Sequence, residues 1–107
     1  MHGMKKCDSF TVRIWIAGDY GDAVRAVRYF CEAGACFAVS PCDYVYTGGM
    51  EAGVVVTRIN YPRFPATEED ILDQCVRLAE HLRAALFQDS YSIETPKHTL
   101  WSSRRAG

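Results

Sequence analysis

Residues 10–17 read Phe10-Thr-Val-Arg-Ile-Trp-Ile-Ala17, and every second side chain of this stretch is large and apolar. Such alternation is typical of a β-strand with one face in the core, because successive side chains point to opposite sides. The other face carries Arg13 and Trp15, where a half-solvated strand normally has small polar groups. We therefore expect the outer face of this sheet to contact a partner.

A helix and a β-hairpin are predicted next. Asp19, followed three residues later by Asp22, predicts the N-cap of a helix that runs to about residue 33. A strand at about 36–46 contains Pro41, which cannot donate to a ladder and so predicts either an edge strand or a bulge. The glycine-rich stretch 47–53 predicts a turn, and the β-branched stretch 54–61 predicts the returning strand.

The second half of the chain begins with the clearest amphipathic pattern. Thr67 and Asp70 predict the start of a helix whose apolar residues recur at helical spacing up to Leu86. A strand over residues 90–95 and a short returning strand over residues 99–101 follow.

The element order, strand, helix, strand, strand, helix, strand, resembles the ferredoxin-like arrangement and indicates an α+β fold. Right-handed crossovers place both helices on one face of an antiparallel sheet and leave the other face open. We expect one domain over residues 1–107, a C-terminal extension, and flexible ends at 1–8 and 102–107. This resemblance favours no particular activity, because the fold hosts many functions.

Composition excludes several functions. The net charge of −1 provides no overall attraction to nucleic acid or to an anionic membrane, and no apolar stretch is long enough to span one. Five cysteines without a secretion signal favour reduced thiols and a cytoplasmic protein. Cysteine and histidine spacings support no zinc site, and no cofactor is expected.

No catalytic motif emerges from the sequence. The loop from Gly18 to Asp22 lies where a phosphate-binding loop would be expected, but it has two aspartates and no lysine. An acylphosphatase-like enzyme would need an arginine there, and the nearest, Arg25, falls inside the helix. We therefore predict no catalytic residues.

The candidate binding surface depends on which residues of each strand point away from the helices. If Val45 and Ile59 point toward the helices, their neighbours point outward and join Arg13 and Trp15. The rigid loop 60–65 and the C-terminal strand flank this face. The predicted partner-binding residues are Arg13, Trp15, Tyr44, Tyr46, Arg58, Asn60, Arg63 and Trp101.

These observations predict a protein that is not an enzyme and presents an aromatic and basic sheet face to a protein partner. The partner is a second copy in a homodimer or a host protein complex, and a virus- or mobile-element-encoded inhibitor is one class that fits. One alternative is a module that binds single-stranded nucleic acid, with bases stacked on the aromatic rings. A second alternative is a small enzyme with a cysteine-based site.

Overall fold

The computed structural model describes residues 3–105, which form one five-stranded antiparallel sheet and two helices. The elements are β1 (Thr11–Ala17), α1 (Tyr20–Cys31), β2 (Ala38–Tyr46), β3 (Gly49–Ile59), α2 (Glu68–Ala85), β4 (Ser90–Glu94) and β5 (Thr99–Ser103). The sheet order is β2-β3-β1-β4-β5. The predicted α+β, ferredoxin-like fold is therefore confirmed, with β5 as an additional strand beside β4.

Both helices begin at the predicted capping residues. The Asp19 carboxylate accepts a hydrogen bond from the Asp22 amide at 3.0 Å, and the Thr67 hydroxyl accepts one from the Asp70 amide at 3.1 Å. These bonds satisfy amides that have no partner within the first turn of a helix. Helix α1 ends at Cys31, two residues before the predicted end.

The core lies between the helices and one face of the sheet. Alternate residues of β1 pair across the ladder with alternate residues of β3, so that Ile14 lies opposite Val56 and Ile16 opposite Val54. The apolar stripe of α2 covers them with Leu78 and Leu82, both fully buried. Burial of this face leaves the other side of the sheet uncovered by any helix.

The β2–β3 hairpin is longer than predicted. Its turn is limited to Thr47 and Gly48, and β3 already begins at Gly49. Pairing is continuous from Ala38 opposite Thr57 to Tyr46 opposite Gly49, so Pro41 causes no bulge. The edge-strand alternative is the correct one, because β2 has no neighbour on its other side.

The C-terminal residues join the sheet further than predicted. Ser102 and Ser103, which the sequence analysis assigned to a flexible end, complete β5. The Arg83 guanidinium donates to the Ser102 hydroxyl at 3.1 Å, and Arg105 Nε donates to Asp89 Oδ2 at 2.8 Å. Residues 1, 2, 106 and 107 of the predicted flexible ends lie outside the described residues. Neither of the two helices within residues 3–105 is long and apolar enough to cross a membrane.

Because Cys75 is buried, we expect the domain to lose stability at alkaline pH. Desolvation raises the pKa of this thiol from 9.0 to about 12. The folded protein therefore holds the proton more tightly than the unfolded chain, so this contribution is complete below pH 9 and is lost as pH rises toward 12.

We expect the free energy of unfolding, measured by urea titration, to fall by up to about 1.4 kcal/mol per pH unit in this range through Cys75 alone. We expect Cys75→Ala to lower the free energy of unfolding at pH 7 and to remove the part of its decrease between pH 9 and 12 that comes from Cys75. If the free energy of unfolding fell with pH equally steeply in Cys75→Ala and in the wild type, Cys75 would not be the cause of the decrease.

Candidate functional site

The open face of the sheet carries five of the eight predicted binding residues. Ser92 pairs with Trp15 on one side and with Trp101 on the other, so both tryptophans share its face. By the same alternation Arg13 joins them from β1, and β2 contributes Tyr44 and Tyr46. Their predicted outward placement is confirmed, whereas their role in binding a partner stays a prediction.

The other three predicted residues do not lie on this face. Arg58 is 5% exposed and Asn60 is 6% exposed, so their predicted exposure on the outer face is wrong. The reason is the register of β3: Ile59 lies opposite Thr11 on the open face, and Arg58, opposite Val12, points toward the helices. Asn60 is held in place by donating to the Asp8 carbonyl and accepting from the Ala66 amide.

The remaining sequence assignments concern Arg63 and Val45. Arg63 is exposed in the loop before α2, outside the strands. Val45 does point to the helix side, as predicted, but it is 75% exposed because no helix covers it.

Small residues between the large aromatic ones create a depression in the open face. Ser92 separates the two tryptophans, and because neighbouring strands lie about 4.8 Å apart, β1 and β5 are about 10 Å apart. A flat ring inserted between two indoles needs a gap of this order. Ala17 and Gly53, which pair with each other, extend the low floor toward β2.

Tyr44 closes the depression on the side of β2. Its hydroxyl donates to the Val54 carbonyl at 2.8 Å, so the ring lies across β3 rather than standing off the sheet. A Cβ at Gly53 would overlap this ring and lie 2.8 Å from the Ile16 carbonyl oxygen. Burial, with a smaller contribution from Cys42, raises the pKa of the Tyr44 hydroxyl, which therefore stays protonated at neutral pH.

These features enclose a shallow pocket of about 190 Å³, which we call the tryptophan pocket. Its lining residues are Trp15, Ile16, Ala17, Tyr44, Glu51, Gln88, Ser90, Tyr91, Ser92 and Trp101. Glu51, which lies opposite Tyr44 in the hairpin, is its one carboxylate, and its lining contains no lysine, arginine, histidine or cysteine. The pocket therefore combines aromatic surfaces with a single negative charge.

Glu94 fixes the first tryptophan from outside the pocket. Its Oε1 accepts a hydrogen bond from the Trp15 indole Nε1 at 3.1 Å and lies 3.6 Å from Arg13 Nη1. The predicted basic character of the face is thus reduced, because Glu94 pairs with Arg13 and Glu51 adds a further negative charge. A polyanion would meet these carboxylates on the same surface.

The sequence did not identify Glu51, Gln88, Ser90 and Ser92 as polar residues of the tryptophan pocket. Glu51 lies in the stretch 47–53, whose glycines predicted a turn rather than the start of a strand. No alternation identified it, because Val54, Val55 and Val56 are apolar on both faces of the strand. Gln88 follows the end of α2 in a connecting segment, where no periodicity identifies it.

Comparison with solved structures gives two likenesses over nearly the whole chain. A phage SAM lyase in complex with S-methyl-5'-thioadenosine has a TM-score of 0.73 and 16% sequence identity, covering 96% of this chain and 95% of that one. A phage SAM lyase in the apo state has a TM-score of 0.65 and 16% identity, covering 97% and 98% of the two chains. No protein family and no curated protein sequence matches this chain.

These likenesses correct the functional prediction. A non-catalytic protein-binding role, including that of an inhibitor, is contradicted because the same architecture over nearly its full length is that of an enzyme. The alternative of a small enzyme agrees better with these two likenesses. Its cysteine-based site gains no support, because none of the five cysteines lines the tryptophan pocket and burial raises the pKa of Cys31 and Cys75. A homodimer, a host protein complex and nucleic acid as partners stay predictions.

Proposed function

We propose that the protein is an enzyme that binds S-adenosylmethionine (SAM) in the tryptophan pocket and cleaves it, with release of S-methyl-5'-thioadenosine. The observation that carries the proposal is the combination of two tryptophans, a tyrosine and one carboxylate on the open face. The fold shared with phage SAM lyase supports the same assignment.

The pocket suits both parts of this substrate. Adenine is a flat ring that stacks on indole, and the gap across Ser92 is wide enough for one ring. The sulfur of SAM is a sulfonium cation, which is attracted by the faces of Trp and Tyr rings and by the Glu51 carboxylate. Gln88 adds an amide with both a donor and an acceptor at the rim.

The charge of the substrate changes during the proposed reaction. When the bond between sulfur and the aminobutyryl chain breaks, its electron pair goes to sulfur, and the cation becomes a neutral thioether. The carbon that loses sulfur either forms a bond to the carboxylate oxygen of its own chain or forms a double bond to the adjacent carbon, whose proton goes to Glu51. Attraction of the sulfonium by Trp15 and Glu51 is stronger before this step than after it, so it contributes to binding and to product release rather than to the rate. We assign the rate acceleration to the fixed conformation of the four-carbon chain.

The test is incubation of the purified protein with SAM, with detection of S-methyl-5'-thioadenosine by liquid chromatography and mass spectrometry. We expect product above the uncatalysed background. S-adenosylhomocysteine, whose sulfur is neutral, serves as the matched control and stays intact. The lactone formed by closure of the four-carbon chain on its own carboxylate and the unsaturated amino acid formed by loss of a proton to Glu51 are isomers of the same mass, so proton NMR of the product, which detects vinyl hydrogens only in the second, distinguishes the two routes. Absence of both turnover and product binding would contradict the proposal.

We also propose a cytoplasmic location. All five cysteines are free in the structure, which is typical of a reducing compartment. Alkylation of the protein in intact cells, followed by mass spectrometry, is expected to find exposed Cys36 as a free thiol. Its recovery in a mixed or intermolecular disulfide would contradict this location.

A further inference from the structure

Arg58 is a buried cation without a hydrogen-bond partner. Its side chain belongs to a residue that is 5% exposed, and its Nε and Nη1 atoms make no hydrogen bond within the described residues 3–105. A guanidinium cannot lose its charge by deprotonation in a protein. Unpaired buried charges are rare, because desolvation of the ion is otherwise uncompensated.

The neighbours of Arg58 attract its charge without accepting its protons. Its guanidinium carbon lies 5.0 Å from the centre of the Tyr61 ring and 5.7 Å from that of Phe64, and such contacts are favourable to a cation. The Tyr61 hydroxyl is already within 3.6 Å of the Cys36 sulfur. Among the ion pairs of the described chain, none includes Arg58.

Arg58 lines a pocket of about 410 Å³ together with Gly34, Ala35, Cys36 and Phe64, which we call the arginine pocket. The volume is in the range of small-molecule sites, and a lining that is largely apolar with one convergent polar group is typical of them. Gly34 adds to the open space, since no atom lies within 4 Å of where its Cβ would be.

The arginine pocket is separate from the tryptophan pocket. Arg58 points to the helix side of the sheet, whereas Glu51 lies on the open face. The two residues are seven positions apart along β3, roughly 23 Å at about 3.3 Å per residue. The inference that follows therefore does not depend on the proposed lyase activity.

We propose that the arginine pocket binds a small carboxylic acid, with its carboxylate on Arg58 and its apolar body against Phe64 and Ala35. A carboxylate supplies the negative charge and the acceptor oxygens that the Arg58 guanidinium lacks among the described residues. A compact inorganic anion would satisfy the charge but leave the apolar lining uncovered, so the apolar body distinguishes this class of ligand.

The experiment titrates the protein with sodium benzoate and follows backbone amide signals by NMR. We expect saturable shifts at Gly34, Ala35 and Cys36. Benzamide, which has the same shape without the charge, should bind at least about tenfold more weakly. Equal binding of benzamide, or equal shifts with inorganic phosphate, would overturn the proposal, as would the absence of any saturable shift with benzoate.

Two variants locate the binding. Arg58→Met should abolish the benzoate shifts, whereas Arg63→Met, which removes an exposed arginine from the following loop, should leave them unchanged. If Arg58→Met does not fold, Ala35→Leu serves instead, because it fills the pocket and leaves the cation in place. Undiminished benzoate affinity in a folded Arg58→Met or Ala35→Leu protein would exclude this site.

Discussion

Trp15→Ala is expected to lower kcat/KM for SAM by about 30-fold or more while leaving the protein folded. Stacking of the adenine base on the indole contributes about 1–3 kcal/mol and does not change when the bond to sulfur breaks, so its loss lowers kcat/KM. Loss of about 2 kcal/mol corresponds to about a 30-fold change. The indole is 36% exposed and belongs to the open face, so its removal leaves the core between sheet and helices intact.

The matched control for this variant is Tyr29→Ala, which removes an exposed aromatic side chain from α1 on the opposite side of the sheet. We expect wild-type kinetics from it. Trp15→Phe keeps an aromatic face but loses the hydrogen bond to Glu94, and its activity should lie between the wild type and Trp15→Ala. Circular dichroism and thermal melting establish that each variant is folded. Wild-type kcat/KM in folded Trp15→Ala would place the reaction elsewhere.

Gly53→Ala is expected to destabilise the domain by about 3 kcal/mol, although alanine is ordinarily no worse than glycine in a strand. The added Cβ would overlap the Tyr44 ring and approach the Ile16 carbonyl oxygen, and the backbone oxygen has little room to move. The ring must therefore leave its position across β3 and lose the hydrogen bond to Val54. Urea unfolding at pH 7 measures the change.

A second measurement separates this cause from a general loss of packing. Burial raises the pKa of Tyr44, so displacement of the ring into solvent should lower that pKa toward 10, which an NMR titration of the tyrosine ring carbons detects. Tyr44→Ala combined with Gly53→Ala should cost less than the sum of the single changes, because the ring that the methyl group displaces is already gone. Strict additivity would show that the ring is not the obstacle.

The parts of the fold set by local patterns were predictable. Strand β1, the caps Asp19 and Thr67, and the amphipathic helix α2 each follow from spacings within a few residues. The faces to which the residues of β3 point were not predictable, since residues 54–57 are all β-branched. Its register against Ile14 and Ile16, a contact between distant segments, decides the phase and places Arg58 inside.

The candidate site was only partly predictable for a related reason. Trp15, Tyr44 and Trp101 were found because large aromatic residues on an exposed strand face are unusual. Glu51 was missed because Gly53 was interpreted as part of a turn, whereas it is required for the close approach of the Tyr44 ring. A pocket that takes its residues from all five strands leaves no motif of fixed spacing, and this is why the sequence indicated no catalysis.

The central position of β1 has a consequence for the order in which the sheet and the tryptophan pocket form during synthesis. β1 ends at Ala17, but its neighbour β4 begins only at Ser90, so most of the chain is made before the two can pair. Until then the edge that carries Arg13 and Trp15 is an unpaired template for other strands, and the closure entropy of a long segment slows its pairing. Docking of the β4–β5 hairpin both completes the sheet and brings Ser92 and Trp101 beside Trp15. A nascent chain therefore acquires its stable core and its tryptophan pocket in the same event.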